Sequence, residues 1–140
     1  SPLDDYPTAE QYLNKALTLP QRLVDPTLTR ANLGWALFHQ NKLVEAAGEL
    51  RKALQFQPKM CVANYRLARV YYAREEWDKA AELFQAVSDD TTCGSQEASY
   101  YLMKTRMQQG LRDDAKTARD ACLKLSPKSC VAAQCRAEGP

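Results

Sequence analysis

The side chains best equipped for chemistry are five cysteines, Cys61, Cys93, Cys122, Cys130 and Cys135, and one histidine, His39. A thiolate is a nucleophile and a metal ligand, and an imidazole is its natural activating base. Their spacing argues against both uses. No two cysteines form a C-x-x-C pair, the spacing of zinc knuckles and thioredoxin-like sites. No thiol has a histidine near it in sequence, so nothing marks one for acidification, and a cysteine-dependent redox enzyme is disfavoured. His39 falls late on an expected helix and reads as a surface residue. Asp89-Asp90 falls in a loop and Asp113-Asp114 at a helix start, where carboxylates stay solvated or stabilise a helix N-terminus. G-x-S-x-G, Walker and H-E-x-x-H motifs do not occur. The expectation is a chain that is not an enzyme and carries no cofactor or metal.

With catalysis set aside, the cysteines keep two readings. Two disulfides and one free thiol would imply an oxidising compartment. Alternatively, all five are small buried side chains, since a free cysteine packs like a small hydrophobe.

The remaining bulk features narrow the class. The 140 residues are 45% apolar and 26% charged, the composition of a folded chain and not a disordered one. Nineteen basic against 17 acidic residues leave a net charge of +2, which is no basic field for nucleic acid. No apolar run approaches the ~20 residues of a membrane helix, and no signal peptide is present. The start at Ser1-Pro2 reads as that of a mature or trimmed fragment, from which any targeting segment would already be gone.

The elements that would position these residues form a repeat. In residues 27–60, Leu33, Gly34 and Leu37 share one helical face, and Ala46, Leu50 and Ala53 share another before Pro58. Thirty-four residues on come Leu67, Ala68, Tyr71, Ala80, Phe84 and Val87. Thirty-five beyond Leu67 comes Leu102, followed by Gly110, Ala115 and Pro127. A fixed period in this range predicts stacked helix pairs. The expected order is a helix over 7–19 with Thr8 as its N-cap, full repeats over 27–60, 61–94 and 96–129, and a terminal capping helix over 130–137. All would lie in a single domain, 1–140. Helices of a pair approach closely only where side chains are small, a role for Gly34, Ala46, Ala68, Ala80 and Ala115. Leu33, Leu50, Leu67, Tyr71, Phe84 and Leu102 would fill the space between, each worth roughly 1.5–3 kcal/mol when buried.

This pattern resembles the tetratricopeptide repeat family, well over residues 27–94 and poorly in the third repeat. There Met103 takes a small position, and Arg106 and Arg119 take aromatic ones. The resemblance implies an all-α, right-handed superhelical solenoid of antiparallel helix pairs that binds proteins. A narrower likeness rests on A-x-x-Y-L-x-K-A-L (Ala9 to Leu17), the proline-bearing connector, A-N-L-G (Ala31 to Gly34) and L-x-L-S-P-K-S (Leu123 to Ser129). These strings look like the pilotin lipoproteins of type IV pili. That likeness implies an assembly factor for the outer-membrane secretin, held at the periplasmic face by a lipid anchor that lies outside this fragment. The alternative is a generic scaffold or co-chaperone adaptor in the cytoplasm.

In such a repeat the first helices line a concave groove. The groove-facing positions are then Leu28, Ala31, Trp35, Phe38 and His39, then Val62, Tyr65, Arg69 and Tyr72, then Tyr100, Tyr101, Lys104 and Met107. Trp35, Phe38, Tyr65, Arg69, Tyr72, Tyr100, Tyr101 and Lys104 are the candidate binding residues. Trp35, Tyr65, Tyr72 and Tyr100 would form an aromatic strip of about 20 Å, suited to an apolar segment or an amphipathic helix of a partner such as a secretin subunit. Some of these rings would otherwise pack sideways between neighbouring first helices. The positions of a carboxylate clamp hold Ala31, Trp35, Arg66, Glu97 and Tyr101, so a chaperone-tail receptor is disfavoured. Cys61 and Cys93 fall at neighbouring repeat junctions, where a bridge would add roughly 3–4 kcal/mol. Among Cys122, Cys130 and Cys135 the sequence selects no pair, although Cys122 occupies a small core position.

Overall fold

The computed structural model describes residues 4–140. Among them are eight helices and no strand. The chain divides into two compact units, one ending at Arg74 and the other beginning at Glu75. The sequence reading has one domain with 61–94 as a full repeat, and the division falls between the two helices of that repeat.

The first unit holds α1 (Tyr6–Ala16), α2 (Pro26–Phe38), α3 (Leu43–Phe56) and α4 (Cys61–Ala73). Helix α1 begins earlier than expected because its cap is Asp5 and not Thr8. The Asp5 carboxylate accepts from the Thr8 backbone N–H at 3.1 Å and from its hydroxyl at 2.7 Å. The helix also ends earlier, where Thr18 and Leu19 donate to carbonyls three residues back. Asp25 caps α2 in the same manner, accepting from the Thr27 and Leu28 N–H groups. At the turn into α3, Asn41 takes φ +60, and Asn41 and Lys42 donate to Phe38 and Leu37. That is the Schellman closure, and asparagine tolerates it.

Helix α2 packs against α1, α3 and α4, and α3 against α4. Ala46, Leu50, Ala53 and Ala68 are fully buried, with Leu33, Leu37 and Leu67 nearly so. Gly34 sits where expected: a Cβ there would lie 2.6 Å from Leu50 Cγ and 3.3 Å from the Ala46 carbonyl. Helix α1 buries no residue. It is held by the Tyr6 ring stacked on His39 and by Glu10, which accepts from Gln40 at 2.9 Å and Lys42 at 3.0 Å. Cys61, the first residue of α4, is a half-cystine.

The second unit holds α5 (Trp77–Asp89), α6 (Gln96–Gln108), α7 (Arg112–Leu125) and α8 (Cys130–Glu138). Helix α6 packs on α5 and α7, and α8 packs on α6 and α7. Gly110 takes φ +76 after α6, with Gly110 and Leu111 donating to Met107 and Arg106, a second Schellman closure. Phe84, Met103, Ala115 and Cys122 are fully buried. Cys93 is a half-cystine, Cys122 is bridged to Cys135, and Cys130 is an exposed free thiol.

Candidate functional site

In the first unit, Trp35, Phe38 and His39 share one face of α2, because residues three and four apart stack along a helix. Their rings form one cluster. Trp35 stacks on Phe38 with centroids 5.0 Å apart, and His39 meets Trp35 edge-on at 4.4 Å. Tyr6 stacks on the other side of His39 at 4.3 Å.

Helix α4 brings two guanidinium groups to this cluster, one turn apart. Arg66 Cζ lies 5.2 Å from the Trp35 ring centroid. Arg69 Cζ lies 5.4 Å from both Trp35 and Phe38 and 5.8 Å from Tyr65. Each arginine is oriented by a hydrogen bond. Arg66 donates to the Ala31 carbonyl at 3.1 Å and to Asn32 Oδ1 at 3.0 Å, and Arg69 donates to the Tyr65 hydroxyl at 3.0 Å. Burial lowers the Arg66 pKa from the ordinary arginine value, yet an arginine at such a site keeps its charge. Trp35, Phe38, Tyr65, Arg66 and Arg69 are half-buried. The result is a cationic aromatic face, with planar donors laid over π-surfaces that still reach solvent.

The sequence expectations fare unevenly. Trp35, Phe38, Tyr65 and Arg69 are brought together, and Tyr72 is half-buried one turn beyond Arg69 on α4. Ala31 is fully buried and does not line a groove; its carbonyl accepts from Arg66. Arg66 and Tyr6 belong to the cluster and were not among the expected site residues. The Arg66/Arg69 spacing of three was the available signal for the first; nothing in the sequence pairs Tyr6 with His39.

In the second unit, Tyr100 is also corrected. It is 7% exposed, because α8 lies against it. Its hydroxyl donates to Glu138, with 2.8 Å to each carboxylate oxygen. Burial first, and that bond second, raise the phenol above its usual pKa. Tyr101 turns inward and stacks on Phe84 at 5.7 Å. Lys104 Nζ lies 3.6 Å from Glu138 Oε1 and 5.2 Å from the Tyr100 ring centroid.

His39 carries a pH dependence. Desolvation first, then the charges of Arg69 and Arg66, lower its pKa below the ordinary 6.5, against an opposing pull from Asp4. The folded state therefore binds the proton less readily than the unfolded chain. Stability from this group is present above the unfolded pKa and is lost as pH falls through the lower, folded one. The thermal midpoint should drop more between about pH 7.5 and about pH 5 in the parent chain than in His39→Gln. Parallel melts of the two proteins check this; identical pH profiles would remove His39 as the source.

Comparison with known proteins places the fold. Residues 37–92 match the sequence model of the tetratricopeptide repeat. Comparison with curated proteins found no match. Among solved structures, YrrB, described as "a TPR protein with an unusual peptide-binding site", aligns at TM-score 0.77 and 20% identity over 94% of this chain and 66% of its own. MamA aligns at TM-score 0.75 and 22% identity, over 88% of this chain and 70% of its own. A tetratricopeptide repeat protein of Parabacteroides merdae aligns at TM-score 0.78 and 25% identity, over 95% of this chain and 52% of its own. The chain thus spans about two thirds of YrrB and about half of the P. merdae protein.

Proposed function

We propose that this chain, built on the tetratricopeptide-repeat fold, is a non-enzymatic binding module whose α2–α4 face takes a peptide segment of a protein partner. The observation that carries this is the pair Arg66 and Arg69 laid over Trp35, Phe38 and Tyr65. Aromatic and arginine side chains dominate binding hot spots because they bring area and directed donors at low entropic cost. A partner that offers apolar side chains to the rings and a carboxylate or carbonyl to a guanidinium edge fits this face. The peptide-binding description of the structurally similar YrrB supports the reading.

In the narrower form of this proposal the partner is a subunit of an outer-membrane secretin, and the chain works as a pilotin at the periplasmic face. The support is the short strings around Ala9–Leu17, Ala31–Gly34 and Leu123–Ser129, together with half-cystines, which persist in oxidising compartments. Without that narrower form, the chain is a general tetratricopeptide scaffold.

The test begins with peptides selected on the purified chain from a random library, with affinities measured by calorimetry. Trp35→Ala and Arg69→Ala should each weaken the selected peptides by about 30-fold or more, the size of a hot-spot loss of roughly 2 kcal/mol. Helical content should be retained. Folded variants that bind unchanged would overturn the site. For the narrower form, the same variants should abolish secretin ring assembly in cells, read as the ring fraction of the envelope; normal assembly would remove the secretin and leave the peptide face standing.

A further inference from the structure

Helix α8 is nine residues long, shorter than an isolated helix needs to persist in water. Its buried residues are Ala132 and Cys135 alone. What holds it is covalent and polar. Cys135 is bridged to Cys122 of α7. Ser129 caps its start, accepting from Ala132 N–H at 2.9 Å and donating to Gln96 Oε1 at 2.7 Å. Glu138, in its last turn, bonds the Tyr100 hydroxyl and pairs with Lys104. Beyond it, Arg119 donates to the Pro140 carbonyl. Gly139 passes so close that a Cβ would lie 2.9 Å from Met103 Sδ.

Beneath α8 is therefore a specific surface on α6. Met103 is apolar and fully buried, and Tyr100 and Lys104 supply a phenol donor and an ammonium that together select a carboxylate. Helix α8 shows what fits there: small residues at 132 and 135 and a carboxylate at 138. We propose that the Cys122–Cys135 bridge is a redox clasp on this helix-binding face. With the bridge reduced, α8 leaves, and the face takes instead a partner's helix with two small residues three apart and a carboxylate three further on. This does not rest on the aromatic face of α2 and α4.

Opening is thiol–disulfide exchange with a dithiol reductant. The Cys122–Cys135 S–S bond breaks, two electrons and two protons pass from the reductant to the two sulfurs, and the reductant leaves as its own disulfide. Both cysteines are fully buried, so fraying of α8 must come first.

The whole chain serves for the test, which follows amide hydrogen exchange in three samples: the oxidised protein, the protein treated with dithiothreitol, and the Cys122→Ala/Cys135→Ala variant. The double variant leaves Cys61 and Cys93 untouched. Exchange in α8 should quicken roughly 100-fold once the bridge is gone, the loop-closure effect of a bridge at this separation, while α6 and α7 keep their protection. A fluorescein-labelled peptide of residues 129–140, its cysteines replaced by alanine, should then bind the double variant and not the oxidised parent. The same peptide with Glu138→Gln should bind at least tenfold more weakly. Unchanged α8 exchange in the double variant overturns the clasp. So does loss of protection throughout α6 and α7, which would make the bridge a staple of the whole unit. Released α8 without peptide binding, or equal binding of the glutamine peptide, overturns the helix-binding face.

Discussion

Phe84→Ala is expected to destabilise the second unit by roughly 3–5 kcal/mol. Phe84 is the largest fully buried side chain. Its ring lies on α5 and stacks on Tyr101 of α6, so truncation removes a ring's transfer free energy and leaves a cavity. A whole domain has only about 5–15 kcal/mol to lose. Urea titration followed by helical signal, with exchange of α5 and α6 amides to locate the loss, measures the effect. Phe84→Leu should cost far less, since it keeps most of the volume. A change under about 1 kcal/mol for Phe84→Ala would place residue 84 outside the core.

Gly34→Leu is the second large effect. The first added carbon already lies 2.6 Å from Leu50 Cγ and 3.0 Å from Leu50 Cδ2. Leu50 is fully buried and has no solvent to move into. Overpacking of this kind costs roughly 1–3 kcal/mol, occasionally more. It outweighs the ~1 kcal/mol that a helix gains on replacing glycine with a better helix former. Because one contact carries the clash, Leu50→Ala should relieve part of it. The double variant should then be more stable than the sum of the single losses predicts. Thermal melts of all three variants decide the matter; an unchanged melt for Gly34→Leu would mean that α2 and α3 do not meet at this register.

The repeat period and small positions were legible because they depend on one helix pair at a time. Gly34, Ala46, Leu50, Ala68, Phe84 and Ala115 are buried where a spacing of three and four puts them. What stayed hidden depends on which element crosses which. Tyr100 and Trp35 read alike on paper, each an aromatic on a first helix. Glu138 of α8 reaches Tyr100 and closes it off, while arginines cover Trp35 and leave it half-buried. No periodicity within α6 contains the position of Glu138. The choice of Cys135 over Cys130 as partner for Cys122 was closed for a similar reason: it requires knowing which side of α8 turns toward α7. Thr8 failed as a cap for a local reason, since an acidic residue three positions earlier captured both its donors.

Gln96 spends its whole amide on the end of the second unit. Its Nε2 donates to the carbonyls of Cys122 and Ser126 at 2.7 and 3.0 Å, and its Oε1 accepts from Ser129. The last turn of a helix leaves carbonyls without partners, and here a single side chain from another helix answers that of Cys122, reaches the Ser126 carbonyl that also accepts from the Ser129 N–H, and holds the residue that starts the next helix. The distance between the end of α7 and the start of α8 is thus measured against one fixed ruler, the width of a carboxamide. A connector one residue longer or shorter between Ser126 and Ser129 would strand either the Cys122 carbonyl or the Ser129 hydroxyl. Residue 96 therefore acts as a length gauge for a stretch of chain far from it in sequence.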